Sequence, residues 1–306
     1  MLDALFNSVL PIFAVVGLGY LFGRLGWFDL TAAQALSRFV HYAAVPVLLF
    51  RLLATADTSL FDWALVGSYL GTELVIYAGA FLVFRFVFRR PLHEAILLAM
   101  ASVFANHLLY LLPIATFRFG EAVAAQMITF VVVDSIVIYG GTVVLLDLTG
   151  AGDPPEGTTS LGRLVRNPQL LAIAAGVVAN IVGVPLDNGF GTFVRFLGGA
   201  AAPVSLFALG IVLMAQAGRT DFRVALTVSL LKLALMPAVV AGFAFGVFAV
   251  NPVAAGQALL VAAAPSGILP FVLAVHHRLP ARDISMAVML STVASLFTVA
   301  FVLQVV

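Results

Sequence analysis

The sequence predicts an all-α integral membrane protein of ten transmembrane helices, arranged as two inverted five-helix repeats with broken helices 4 and 9. The first observation is composition: 63% of the 306 residues are hydrophobic, only 9% are charged and the mean hydropathy is +1.15. Soluble domains carry about 25% charged residues, so a soluble enzyme is excluded. The second is the alternation of apolar stretches near the ~20 residues that cross a bilayer. The third is a set of prolines and glycines that recur at one fixed offset. A net charge of +1 leaves no basic field for nucleic acid. The absence of cysteine excludes disulfides, thiolate metal sites and cysteine nucleophiles.

Hydropathy places spans near 3–23, 33–53, 62–87, 94–117, 122–148, 168–186, 192–216, 223–249, 254–276 and 283–305. The first stretch, Leu5 to Leu21, has no basic leader and no A-x-A site, so it reads as a helix and not as a signal peptide. The one long hydrophilic connection, residues 150–166, holds Gly-Asp-Pro-Pro-Glu-Gly. It separates a first repeat (1–149) from a second (167–306). Arginines collect on alternate loops: Arg24, Arg38, Arg85, Arg89, Arg90, Arg163, Arg166, Arg219, Arg223, Arg278 and Arg282. The opposite side holds Arg51, Arg118 and Arg195 beside Asp3, Asp57, Asp62, Glu121 and Asp187. By the positive-inside rule the arginine-rich loops are cytoplasmic and both termini face out, in a multi-pass protein of the cell membrane, a bacterial inner membrane.

At an offset of 157 residues, Pro11 meets Pro168, Pro46 meets Pro203 and Pro113 meets Pro270. Chance gives roughly 0.3 such pairs. Gly19 matches Gly176, Gly26 matches Gly183, and residues 43–52 share seven of ten identities with 200–209. The register holds from the first span to the fourth. Five spans is an odd number, so the second copy inserts upside down. That is an architecture of secondary transporters, whose sites lie where broken helices meet at the midplane.

Span four reads Ala105-Asn106-His107-Leu108-Leu109-Tyr110-Leu111-Leu112-Pro113, and span nine reads Ala264-Pro265-Ser266-Gly267-Ile268-Leu269-Pro270-Phe271. An internal proline removes a helical hydrogen bond and clashes with the preceding turn, costing about 3 kcal/mol. Unwound backbone at membrane depth must line a polar cavity or be satisfied by protein. The half-helix after each break aims its positive end at that cavity, which suits an anion. The candidate substrate residues are Asn106, His107, Tyr110, Pro113, Ser266, Gly267, Ile268 and Pro270.

These two segments resemble a family. Asn106-x-Leu-Leu-Tyr-x-Leu-Pro113 is similar to the helix-four signature of the auxin efflux carrier family, and Pro265-Ser-Gly-Ile-Leu-Pro-Phe-Val-Leu-Ala274 to the helix-nine motif of its PIN-type members. Gly19-Tyr20, Trp27-Phe28, Arg38-Phe39-Val40 and Ala44-Val45-Pro46-Val47-Leu48-Leu49-Phe50 resemble its first two helices. Leu111 stands where many members have glycine, and the central loop is short beside the long one of PIN-type proteins. The resemblance implies the fold of bile-acid sodium symporters: a scaffold of helices 1, 2, 6 and 7 and a transport domain of helices 3–5 and 8–10. It also implies that the broken helices 4 and 9 are crossed, with organic-anion binding beside the crossover, an elevator-type shift and a homodimer. Asn106 matches the family's substrate-contacting asparagine, and Pro113 and Pro270 match its crossover prolines.

Ionisable groups within spans are costly, about 2.5–3.5 kcal/mol each at a helix centre, and mark function. Glu73, Asp134 and Lys232 form a candidate ion or proton site, with coupling to a proton or to sodium both open. Glu73 and Lys232 fall within two residues of equivalence in the two repeats, so a simple mutual neutralisation is the alternative. His107 reads as substrate or proton contact or as a hydrogen-bonded packing residue. Ser135 and Tyr139 share a helix face with Asp134. His276 and His277 read as solvated. No metal site, cofactor or catalytic residue is expected: there is no H-E-x-x-H, G-x-S-x-G or P-loop. The expected partners are an organic anion, membrane lipid and a second copy of the chain. The expected function is a secondary transporter of small organic anions, either auxin-like weak acids or short carboxylates. A sodium-coupled symporter of the bile-acid type is the alternative, and an intramembrane enzyme, with His107 and Asp134 as its candidate groups, a third reading.

Overall fold

The computed structural model describes residues 10–56, 63–111, 129–151, 166–215, 221–247 and 252–305, and among these the chain is helical throughout. Six stretches are long and apolar enough to cross a membrane: Leu30–Ala54, Trp63–Val87, Thr129–Leu148, Gly189–Ala215, Phe222–Val247 and Arg282–Gln304. Side chains such as Ile181, Phe196, Phe297 and Phe301 are exposed. Large exposed apolar residues of this kind belong against hydrocarbon. This is a multi-pass integral membrane protein.

The first span is α1 (Leu10–Arg24). It ends at Gly26, whose φ of 75° is the left-handed conformation that glycine adopts without strain. At the matching offset of 157 residues, α7 (Pro168–Val182) ends in the same way at Gly183, with φ 74°. The second span starts where Asp29 accepts a hydrogen bond from the Ala32 amide at 2.8 Å. It runs as α2 (Leu30–Phe39), a wide π-type turn (Val40–Ala44) and α3 (Val45–Ala54). In that wide turn the amide due to reach the His41 carbonyl belongs to Pro46, which has no N–H. The buried Gln169 side chain donates there instead, at 2.6 Å. The span equivalent to this one is split as α8 (Gly189–Gly199) and α9 (Ala201–Ala215), ahead of Pro203.

These segments pack crosswise: α1 lies against α9, and α3 against α7 and α8. A Cβ on Gly19 would collide with the Phe207 carbonyl oxygen, and one on Gly176 with the Phe50 carbonyl oxygen. The two contacts are the same contact made twice, since 176 − 19 and 207 − 50 are both 157. Glycine permits this backbone approach, as small residues do generally between membrane helices.

The rest forms a second group. The remaining helices are α4 (Trp63–Leu82), α5 (Leu92–Ala101), α6 (Gly141–Leu148), α10 (Phe222–Leu230), α11 (Met236–Ala241), α12 (Pro252–Ala262), α13 (Leu269–His276) and α14 (Arg282–Val305). Wide turns at Val83–Val87, His107–Leu111, Asp134–Gly140, Leu231–Leu235 and Gly242–Val247 punctuate them. Most of residues 150–166, the linker expected between the repeats, lies outside the described residues.

Candidate functional site

Span nine breaks between α12 and α13, as Pro265, Gly267 and Pro270 predict, with Pro270 in the first turn of α13. Span four breaks after α5, at residues 102–106, and turns again at His107–Leu111. That break precedes Pro113, which lies outside the described residues, so it is not set by a proline in its own middle. What holds it is the other break. Ala105 and Ser266 face one another as an antiparallel bridge. The Asn106 amide donates to the Pro265 carbonyl at 2.8 Å, and the Gly267 amide to the Phe104 carbonyl at 2.8 Å. Ser266 adds a hydroxyl bond to the Ala101 carbonyl at 2.8 Å, and its amide donates to Ser291 Oγ at 3.1 Å. Backbone groups that two helices give up are thus paired with each other, which hydrocarbon depth requires. Gly267 permits the approach: a Cβ there would stand 2.7 Å from Phe104 Cδ1 and 3.0 Å from the Ala105 carbonyl.

A cavity of about 80 Å³ opens beside the crossover. One wall is the crossover itself, with Asn106, His107, Gly267 and Ile268, joined by Ser135 of the fifth span. The opposite wall comes from α3 and α9, chiefly Val45, Leu48, Ala202 and Ser205. Val45 and Ala202, like Leu48 and Ser205, are 157 residues apart, so equivalent positions of the two halves face the site. Among the described lining residues there is no arginine or lysine.

Four of the eight predicted substrate residues therefore meet at the cavity. Tyr110, Ser266 and Pro270 are buried and do not line it. Ser266 is spent on holding the crossover together. The wall from α3 and α9 was missed because alanine, valine and leucine there look like any membrane-helix surface. The signal was present in the matched segments 43–52 and 200–209, where leucine at 48 becomes serine at 205.

Behind the crossover lies the predicted ionisable group. His107 Nε2, reached from the cavity, stands 3.4 Å from Asp134 Oδ2. Glu73 is buried in the electrostatic reach of Asp134, Lys232 and Tyr69. The Lys232 ammonium makes no ion pair within 4 Å among the described residues; it donates to the Ala262 carbonyl at 2.9 Å and lies 3.3 Å from Met236 Sδ. Ala262 is the last residue of α12, so the ammonium sits at the negative end of a half-helix, where a cation is stabilised. Among the described residues, no carboxylate oxygen of Glu73 or Asp134 accepts a hydrogen bond of good geometry. The mutual-neutralisation reading thus fails in its simplest form: Glu73 and Lys232 share a field but not a contact.

His276 and His277 are not freely solvated. Both are partly buried, and the His276 ring stacks on His41 with centroids 3.4 Å apart. That contact joins α13 of the crossover group to the wide turn of the second span.

A bundle of apolar spans with two interrupted helices bridged around an internal cavity is the build of a membrane transporter. The family model described as "Membrane transport protein" matches residues 4–303, and the chain belongs to this family, the auxin efflux carriers that its span-four and span-nine motifs resemble. The chain is similar to an "Uncharacterized transporter" of Methanothermobacter thermautotrophicus, 28% identical over 302 residues, covering 95% of this chain and 94% of the relative. It is also similar to a "Putative malonate transporter" of Rhizobium meliloti, 26% identical, covering 95% and 92%. The "Uncharacterized transporter YfdV" of Escherichia coli is 26% identical over 254 residues, covering 78% and 77%.

Proposed function

We propose that this protein is a secondary transporter of small organic anions, and of short carboxylates in particular, with its substrate site at the crossover. The observation that carries the reading is the bridged pair of broken helices facing a cavity of about 80 Å³. A cavity of about 150 Å³ holds benzene, so a space of about 80 Å³ favours a short acid over an indole-sized one. The Rhizobium relative, by its name, points to the same class.

The architecture behind this reading is ten spans in two inverted repeats, and the duplicated Gly19–Phe207 and Gly176–Phe50 contacts support it. In it, spans one, two, six and seven form a scaffold and the crossover group forms the transport domain. The cavity lies on the boundary between them, so an elevator-type shift of the transport domain would carry the site across the membrane. The protein works as a homodimer in the cell membrane, with the arginine-rich end cytoplasmic and both termini outside. It is not an enzyme in this reading: binding and movement are the whole of its chemistry, and no cofactor takes part.

Glu73, Asp134 and Lys232, with His107 between them and the cavity, form the coupling site for a proton or a sodium ion. Two buried carboxylates within each other's reach, whose oxygens accept no hydrogen bond of good geometry among the described residues, support a cation there. Uptake of a labelled short carboxylate into proteoliposomes tests the function, and imposing a sodium or a pH gradient in turn distinguishes the coupling ion. No uptake of any short carboxylate would remove the reading. Since no lysine or arginine is among the described residues that line the cavity, a second carboxylate would find no partner among them. A monocarboxylate should therefore compete better than a matched dicarboxylate at a pH where both are fully ionised. Preference for the dianion would place an unrecognised positive group at the site.

A further inference from the structure

The cavity's polar groups are unevenly supplied with protons. Two serine hydroxyls line it, Ser135 on the crossover side and Ser205 on the opposite wall. Each already donates its proton to a main-chain carbonyl one helical turn back: Ser135 to Val131 at 2.6 Å and Ser205 to Ala201 at 2.6 Å. A hydroxyl has one donor and two acceptor lone pairs, so both now present acceptors only. The bridging amides of Asn106 and Gly267 are likewise committed, to Pro265 and Phe104. The side-chain donors on the cavity's crossover side come from the Asn106 amide, since the His107 ring turns its Nε2 to Asp134. A carboxylate placed against the crossover thus meets donors. Its other end meets the α3 and α9 wall, where Ser205 is the single polar side chain among the described lining residues and offers only an acceptor. A plain alkyl acid would bury that lone pair against carbon, whereas a hydroxyl on the substrate would donate to it.

We infer that the cavity selects a short monocarboxylate bearing a hydroxyl, with the carboxylate at the crossover and the hydroxyl donating to Ser205. The inference rests on the proposed transport of short carboxylates and deepens it. Ser205 acts here as a specificity residue, and Leu48, its counterpart in the other half, makes the matching position apolar. On the α3 and α9 wall the hydroxyl therefore has one position to turn to and not two. A neutral hydrogen bond of this kind, lost on one side and left unpaired on the other, corresponds to a preference of about tenfold.

The test is uptake of labelled lactate and propionate, acids of matched length, by reconstituted full-length protein. Lactate is expected to be favoured about tenfold in kcat/KM. In Ser205→Ala the ratio should fall to about one, and in Ser205→Thr, which keeps the hydroxyl, it should return. Because the ratio is read within each variant, a lower yield of folded protein does not disturb it. Equal uptake of the two acids by the native protein, or a ratio unmoved in Ser205→Ala, overturns this inference and leaves short-carboxylate transport standing. Failure of both acids to enter overturns the transport reading and this one with it.

Discussion

At the arginine-rich end of the bundle Arg90 reaches Glu94 at 3.2 Å, Asp221 at 3.0 Å and Asp283 at 3.0 Å, while in the interior Glu73, Asp134 and Lys232 make no ion pair with one another. The two groups have similar ingredients, a few carboxylates and one base. They differ in how far they are satisfied. Arg90 is a planar fork that can serve several carboxylates at once, and it ties the starts of α5, α10 and α14 into one block. Asp221 also donates its amide to Asp283 Oδ1 at 3.1 Å, closing the ring. The interior group leaves acceptors unpaired in a place where each costs more. An arrangement that gains stability from its charges is a staple; one that tolerates unpaired charges at membrane depth is kept for what it binds.

The largest expected effect is in the interior. In Lys232→Met the two buried carboxylates lose their cation and the Ala262 carbonyl loses its donor. The loss should be about 3–5 kcal/mol, together with loss of transport. Adding Glu73→Gln removes one of the stranded charges, so the double variant should be more stable than the sum of the singles by at least about 0.5 kcal/mol. Thermal unfolding of the two singles and the double in detergent measures this. Strict additivity would show that Glu73 and Lys232 do not sense one another and that the interior group is not one unit.

The middle effect is at the staple. Arg90 is about one quarter exposed, with Glu94 nearly buried, Asp283 mostly so and Asp221 substantially exposed. The value of such a network lies between that of surface pairs and buried ones, so Arg90→Ala should cost about 2 kcal/mol. Transport per folded molecule should survive, because none of these residues lines the cavity. A folded Arg90→Ala protein with no transport would give the staple a part in the movement itself and erase the contrast.

The sequence discloses the contrast only in part. Six spans were legible because long apolar runs have no other reading, and one pair of close helix contacts because glycines keep their offset where backbone geometry demands them. Gly19 and Gly176 are matched in sequence and make the same contact in space. The break of span four includes Asn106, as read from the sequence, but what holds it was not legible, since the bridge to Ser266 depends on a segment 161 residues away. Side-chain direction near a break follows no helical period, which is why Ser266 and Tyr110 were assigned to the cavity and Ser205 was not. The charges themselves were legible as buried. Which of them would be paired was not, because pairing depends on distances between spans that a single sequence does not encode.

The smallest expected effect isolates charge from geometry within the staple. Asp221 caps α10 by accepting the Arg223 amide at 3.2 Å through Oδ1, while Oδ2 takes the Arg90 guanidinium. Asparagine caps a helix about as well as aspartate, so Asp221→Asn keeps the cap and removes the ion pair. With 43% of the Asp221 side chain exposed, solvent screens that pair, and its loss should cost no more than about 0.5–1 kcal/mol. Screening also gives the effect a signature. The Debye length falls from about 10 Å at 0.1 M salt to about 3 Å at 1 M, so the difference in Tm between native protein and Asp221→Asn should shrink toward zero as salt rises. The interior group is buried away from bulk solvent, so with a salt whose cation does not bind the site the shift caused by Lys232→Met should stay the same across that range. If instead both differences faded with salt, the interior group would be in contact with solvent. If neither did, the Arg90 network would be as sheltered as the charges behind the crossover, and pairing alone would separate the two.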